Sequence, residues 1–437
     1  MMKKTPFLIL VSTLIAPVLF MCSDASAVPA FARKYHTACT TCHLAFPVRN
    51  GFGEAFRNNG YRFPENTDEE MVKEEPIKLG SDSYKKLFPE AIWPSDLPNM
   101  PTLGFLAQVG GTLPKDKLTG RYKNSDISEE LTIFFAGTVT NQISYIGDFG
   151  IASNNEPTSL GRLQLIWTFK PGIAIAIGTV GFPEQFDLIS ARSGVDADGY
   201  AAQLPNPNKG VELRLAGNAG TMGGYSLVAG VGRNSQTDIG APEAPGDHPG
   251  GNFADSRFAR ATFKIGGNGL LNGSGGTLGN RYIGLDNSIT FGVNVFNSSK
   301  GANTNAANYV YGLTKTAYSG DVRINYGNLR AIAQYARFNN VTDFETRENF
   351  GKRDALSLEG DYWVYPWLFG VVRYEHMKDN LNGEVNKVIP GIGALLRPNF
   401  KVGVEYVAVT KNTFDFDPLG LDNRQASSWN LYTQLGF

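Results

Sequence analysis

From residue 101 to residue 437 the chain alternates apolar and polar side chains, and its connections alternate in length. Period-two alternation puts every second side chain on one face of a strand. In residues 257–265, Ala259, Ala261, Phe263 and Ile265 oppose Arg260, Thr262 and Lys264. In residues 288–296, Ile289, Phe291, Val293 and Val295 oppose Ser288, Thr290, Gly292 and Asn294. In residues 400–408, Lys401 and Glu405 oppose Phe400, Val402, Val404 and Tyr406. A half-buried soluble sheet alternates in the same way, so loop length decides between the two. Tight reversals near 141–142, 170–172, 218–220, 326–328, 365–367 and 397–399 take turns with long polar connections such as 113–128, 181–208, 233–255 and 412–424. Segregating short turns from long loops by parity is the habit of a membrane-spanning antiparallel barrel. A soluble sandwich has no reason to do it. The expectation is an all-β chain whose residues 101–437 form a transmembrane antiparallel β-barrel of about sixteen strands, in the manner of porins. Residues 266–286 break the parity, as an excursion from the short-turn side or a missed strand pair. The last strand, 429–437, ends on Phe437 and resembles the carboxy-terminal signal of outer-membrane proteins.

The amino terminus reads as an export signal. Lys3 and Lys4 precede an apolar run at 7–20, and Ala25-Ser26-Ala27 follows, which predicts cleavage after Ala27 and a signal peptide at 1–27. The run is too short to span a membrane as a helix. Cys22 lacks the small preceding residues of a lipidation site. No later stretch is long and apolar, so membrane residence must come from strands. Removing Lys3, Lys4 and Asp24 leaves 38 basic and 40 acidic residues, a balance that gives no reason to expect nucleic acid.

Residues 28–64 carry Cys39-Thr40-Thr41-Cys42-His43, the spacing of c-type haem attachment. Two thiols three residues apart can each form a thioether to one porphyrin, and the following histidine is then set against the iron as proximal ligand. A zinc site would need more Cys or His nearby, and a thioredoxin-like pair would need a βαβ context. The expectation is one covalent haem c on Cys39, Cys42 and His43, in a small, partly helical segment. The distal ligand sets the potential. Met100, then Met71, Met377 and His36 are the ranked candidates. His36, three residues before Cys39, lies on the attachment side of the ring. His376 shares lipid-facing parity with Leu368, Val372 and Tyr374, and His248 sits in a long loop. Phe31, Phe46, Phe52, Phe56 and Tyr61 are expected to wrap the porphyrin, and would equally serve as the core of a tiny domain. Residues 65–100, rich in charge and proline, read as a linker or plug. A sixteen-stranded lumen is too wide for wall side chains to fill, which predicts that the segment ahead of the first strand folds into the barrel mouth.

Three elements, Phe31-Ala32-Arg33, Cys39–His43 and Phe52-Gly53-Glu54-Ala55-Phe56 through Gly60-Tyr61, resemble the fused monohaem cytochrome–porins of the outer membrane. That family contains the iron oxidases of iron-oxidising bacteria. The resemblance implies a single-electron conduit in a Gram-negative outer membrane, in contact with its lipid. Extracellular Fe(II), or another donor or acceptor, stands on one side and a periplasmic c-type cytochrome on the other. The competing reading is a diffusion porin whose haem segment is only a plug. A peroxidase-like enzyme would need an open iron position with a distal acid–base residue, and none stands near the signature. Asp343, Glu345, Asp415 and Asp417 in long loops are either cation ligands or solvated charges.

Overall fold

The computed structural model describes residues 30–63, 77–78, 96–97, 102–115, 121–122, 126–139, 142–153, 159–181, 188, 190–192, 209–220, 222–233, 256–271, 279–280, 285–303, 312–343, 349–380, 383–413 and 427–436. Sixteen strands form one closed antiparallel barrel. They are β1 (Thr102–Pro114), β2 (Asp126–Thr138), β3 (Ile143–Ser153), β4 (Ser159–Lys170), β5 (Ile173–Gly178) and β6 (Lys209–Asn218). Next come β7 (Gly224–Arg233), β8 (Ser256–Gly266), β9 (Ser288–Asn303), β10 (Gly312–Tyr326) and β11 (Leu329–Asp343). The wall ends with β12 (Asn349–Tyr365), β13 (Leu368–Asp379), β14 (Gly383–Arg397), β15 (Phe400–Asn412) and β16 (Ser428–Gly436). The last strand closes on the first, with Gln434 opposite Gln108. Closure leaves no open edge, the condition a sheet must meet in lipid.

The faces follow the alternation. Phe291, Val293, Ile324, Val372, Ile392 and Leu431 stand exposed on the outside, while Arg260, Asp321, Arg330, Asp361, Arg373 and Glu405 are buried on the inside. This inverts a water-soluble protein, and only an apolar solvent around the wall stabilises it. The inward charges are paired: Arg260 with Asp321 at 2.7 Å and Arg330 with Asp361 at 2.9 Å. Among the described residues no helix is long and apolar enough to cross a membrane.

Between Gly266 and Ser288, the described residues 267–271, 279–280 and 285–286 add no strand to the barrel. They turn inward from the short-turn end, and a two-residue ladder joins Gly279–Asn280 to Leu285–Asp286. Asp286 is fixed there by the Lys264 ammonium at 2.7 Å and the Asn268 backbone N–H at 2.9 Å. The excursion reading is therefore the correct one. The connection after β5 also turns inward at 190–192. Arg192 donates to both oxygens of Glu405 at 2.7 Å, and the Ser190 hydroxyl donates to Glu359 at 2.8 Å.

Residues 30–63 lie inside the short-turn mouth. They comprise α1 (Ala30–Lys34), a 3-10 turn (Cys39–Thr41), a hairpin pairing His43–Ala45 with Val48–Arg49, and α2 (Gly51–Asn58). Leu44, Ala45 and Val48 pack on Trp363, Phe369 and Val371 of the wall. Phe31 and Tyr61 pack on Ile146, Ile166 and Ala174 on another side. Polar ties complete the fit. Glu54 meets Arg323 at 2.6 Å, Asn58 donates to the Leu270 carbonyl at 3.0 Å, and Lys401 donates to the Phe46 carbonyl at 2.8 Å. Lys401 also donates to the carbonyls of Ala191 and Arg192 at 3.3 Å, so one ammonium joins plug, inward loop and wall. Of residues 65–100, the described part is one short ladder, Ile77–Lys78 against Asp96–Leu97.

Candidate functional site

The segment from Cys39 to His43 is held by the residue that starts α2. The Asn50 side-chain oxygen accepts the Gly53 N–H at 2.9 Å, an N-cap. Its amide nitrogen donates to the carbonyls of Thr40 at 3.1 Å and Thr41 at 3.0 Å. Its backbone N–H donates to Cys42 at 3.0 Å. One asparagine thus locks the cysteine turn onto the helix. Gly53 sits where the two meet, and a Cβ there would overlap the Cys42 carbonyl oxygen. The helix then presents Phe52 and Phe56, both buried, on the face next to Cys42. Gly60 and Tyr61 take left-handed backbone at φ 72° and 60°, which turns the Tyr61 ring back onto Phe31, stacked at 5.7 Å. At Gly60 a Cβ would also overlap the Thr168 hydroxyl of the wall.

Cys39, Cys42 and His43 line one cavity of about 400 Å³ between plug and wall. Phe31, Phe52, Phe56 and Phe63 on the plug, with Leu106 and Ile146 on the wall, make it an apolar slot. The size and lining suit a flat apolar ligand held by a few placed polar groups. Four cations, Arg49, Arg57, Arg162 and Lys401, reach it, and no carboxylate does among the described residues. Wall residues 395–401 and 104–108 put the slot beside the seam between β16 and β1, at the short-turn end.

Both cysteines are free thiols. Burial pushes the Cys42 thiol up to about 12, helped by the adjacent Cys39, and burial raises Cys39 as well. The Nδ1 of His43 lies 3.2 Å from the Pro47 carbonyl, which can only accept, so Nδ1 carries the proton and Nε2 keeps its lone pair. Burial first, then the Arg49 charge, pushes this imidazole down to about 4, so it is neutral at neutral pH. Burial pushes the Tyr61 phenol up, but Arg162, Arg57, Arg214 and Arg49 together outweigh it and leave it below its ordinary value.

The structure thus brings Cys39, Cys42 and His43 together with all five aromatics expected around them. The distal candidates divide. Met71, Met100 and His248 lie outside the described residues, as do the signal peptide, Glu345, Asp415, Asp417 and Phe437. Met377 faces the lumen as expected but belongs to an apolar cluster with Phe338 and Val385, away from the slot. His36 is exposed, and its backbone is left-handed at φ 48°. His376 faces outward and bonds Asn386 at 2.7 Å. Sequence reasoning missed Tyr35 and Phe63, which complete the slot, and it missed the cations. Arg57 shares a helix with Phe52 and Phe56, one turn after Gly53, and that spacing was the available signal. Arg162 on β4 gave none.

No family model matches this chain, and no curated protein does. Solved structures do match in fold. The anion-selective porin from Comamonas acidovorans aligns over 77% of this chain and 99% of its own, at 8% identity and a TM-score of 0.50. Salmonella typhi OmpF in complex with daunomycin aligns over 78% and 98%, at 15% identity and a TM-score of 0.48. The outer membrane channel DcaP of Acinetobacter baumannii aligns over 77% and 96%, at 12% identity and a TM-score of 0.45. At such identities the likeness speaks to the fold: this chain is a porin-like, sixteen-stranded antiparallel barrel.

Proposed function

We propose that the chain is an outer-membrane cytochrome–porin fusion that carries single electrons between an extracellular donor, Fe(II), and a periplasmic c-type cytochrome. The observation that carries this reading is the meeting of Cys39, Cys42 and His43 in one apolar slot inside a barrel with an apolar outer face. The residues fit a covalent haem c: two thiols at the attachment spacing, an imidazole with Nε2 available, aromatic walls, and a lining that carries cations and, among the described residues, no carboxylate. Such a group supplies a one-electron couple at neutral pH and needs no acid–base chemistry to accept an electron from Fe(II).

The chain's own residues do the rest. Asn50 holds the attachment turn, Pro47 fixes the imidazole tautomer, and Phe52, Phe56 and Phe63 keep water from the ring, which tunes its potential. An apolar band about 25 Å tall is too long for one tunnelling step. The slot lies at the short-turn mouth, the periplasmic end in barrels of this architecture, so the acceptor docks there and an extracellular donor approaches down the lumen. The ties from Glu54, Asn58 and Lys401 to the wall seat the plug in the mouth, where a freely diffusing solute would have to pass. The test is spectroscopic. The purified chain, matured in a host that attaches haem c, is expected to show the haemochrome spectrum of thioether-bound haem and to be reduced by Fe(II). A barrel that inserts normally without covalent haem would leave a plugged porin as the reading.

A further inference from the structure

We propose that Arg57 and Arg162 hold the two propionate carboxylates of the covalent haem. This rests on the reading above and deepens it. Thioethers from Cys39 and Cys42 take the vinyl edge of the ring, which sends the two propionates to the remote edge. A dianion in an apolar slot needs fixed cations, and the forked guanidinium is the side chain that pairs best with a carboxylate.

Three observations locate the clamp. Arg57 on α2 and Arg162 on β4 both line the slot, one from the plug and one from the wall. No carboxylate lines it among the described residues, so its charge complements an anion; Asp148 lies behind Arg162, 3.3 Å from its Nε. Arg57 also lines a second, smaller cavity of about 50 Å³ together with Glu54, Arg214 and Thr262. That space has room for water, with Arg260, Asp321 and Thr290 around it as polar partners, which would give the carboxylate edge a wet side and leave the ring on the dry one. The plug's insertion into the barrel is therefore what completes the cofactor site, because half the clamp comes from each part.

The test uses the full-length chain matured with haem c and purified in detergent. Arg57→Gln, Arg162→Gln, the double variant, Arg162→Lys and Arg337→Gln are compared by haem content, midpoint potential and resonance Raman propionate bending modes. Arg337 is the control, on the outer face and paired with Asp354. A cation beside a propionate favours the reduced state, so its loss lowers the potential. The expected result is full covalent haem in every variant, a lower potential and shifted propionate modes in each Gln variant, and a larger fall in the double. Arg162→Lys should recover part of the shift and Arg337→Gln should show none. Wild-type potential and wild-type propionate modes in haem-loaded Arg57→Gln and Arg162→Gln would overturn the clamp. An equal fall in Arg337→Gln would do the same. If Arg162→Gln fails to load, the comparison rests on Arg57→Gln and Arg162→Lys, where unmoved modes again overturn it. A wild-type chain without covalent haem would overturn the parent reading instead, a result told apart by haem content alone.

Discussion

At the residue scale the site depends on one asparagine and one glycine more than on its aromatic walls. Asn50 makes three hydrogen bonds to the cysteine turn and accepts two from α2, and Gly53 permits the approach. Gly53→Ala puts a methyl group against the Cys42 carbonyl oxygen. It is expected to cut covalent haem per barrel severalfold, measured by haem stain against protein on a gel. His36→Ala, at an exposed residue outside the slot, should leave that ratio unchanged. The paired change Cys42→Ala/His43→Ala is expected to leave barrel insertion intact, read by heat-modifiable mobility, and to abolish the haem stain. The grouping of Cys39, Cys42 and His43 was legible in the sequence because it is local, five consecutive residues. Arg162 was not, since its part comes only from standing across the slot from a helix about a hundred residues earlier.

At the element scale the plug and the wall are separable in what stabilises them. The wall rests on its closed ladder and the apolar outer face. A charge on that face is costly: Val293→Arg is expected to destabilise the barrel by about 2–4 kcal/mol, measured by urea unfolding in lipid vesicles. The plug rests on packing and a few buried ties, of which Glu54 with Arg323 is the shortest ion pair. Glu54→Gln leaves Arg323 without that carboxylate, at a cost of roughly 3 kcal/mol. Hydrogen exchange in residues 30–63 is expected to quicken while the strand amides stay protected. The strands and their sides were legible because alternation and loop parity are one-dimensional signals. The inward course of 190–192 and of the described residues within 266–286 was not. The first is anchored by Glu405, 213 residues away from Arg192, and the second by packing against a plug whose depth no local pattern encodes.

At the scale of the whole molecule, closure, plug and slot make one arrangement: a membrane cylinder whose short-turn mouth is filled by a segment bearing two thiols and an imidazole. The sequence expectation that residues ahead of the first strand enter the mouth followed from lumen width; residues 30–63 pack on the wall at the short-turn end, while most of 65–100 lies outside the described residues. The height of the slot, near the short-turn rim rather than at mid-span, could be learned only from which wall residues meet Phe46 and Phe31. The most direct measurement encloses an oxidised soluble c-type cytochrome in vesicles bearing the inserted chain, adds Fe(II) outside, and follows the enclosed cytochrome's absorbance. The expected outcome is its reduction with the wild-type chain and none with Cys42→Ala/His43→Ala. An enclosed cytochrome that stays oxidised, or is reduced equally with both chains, would contradict electron passage through this site.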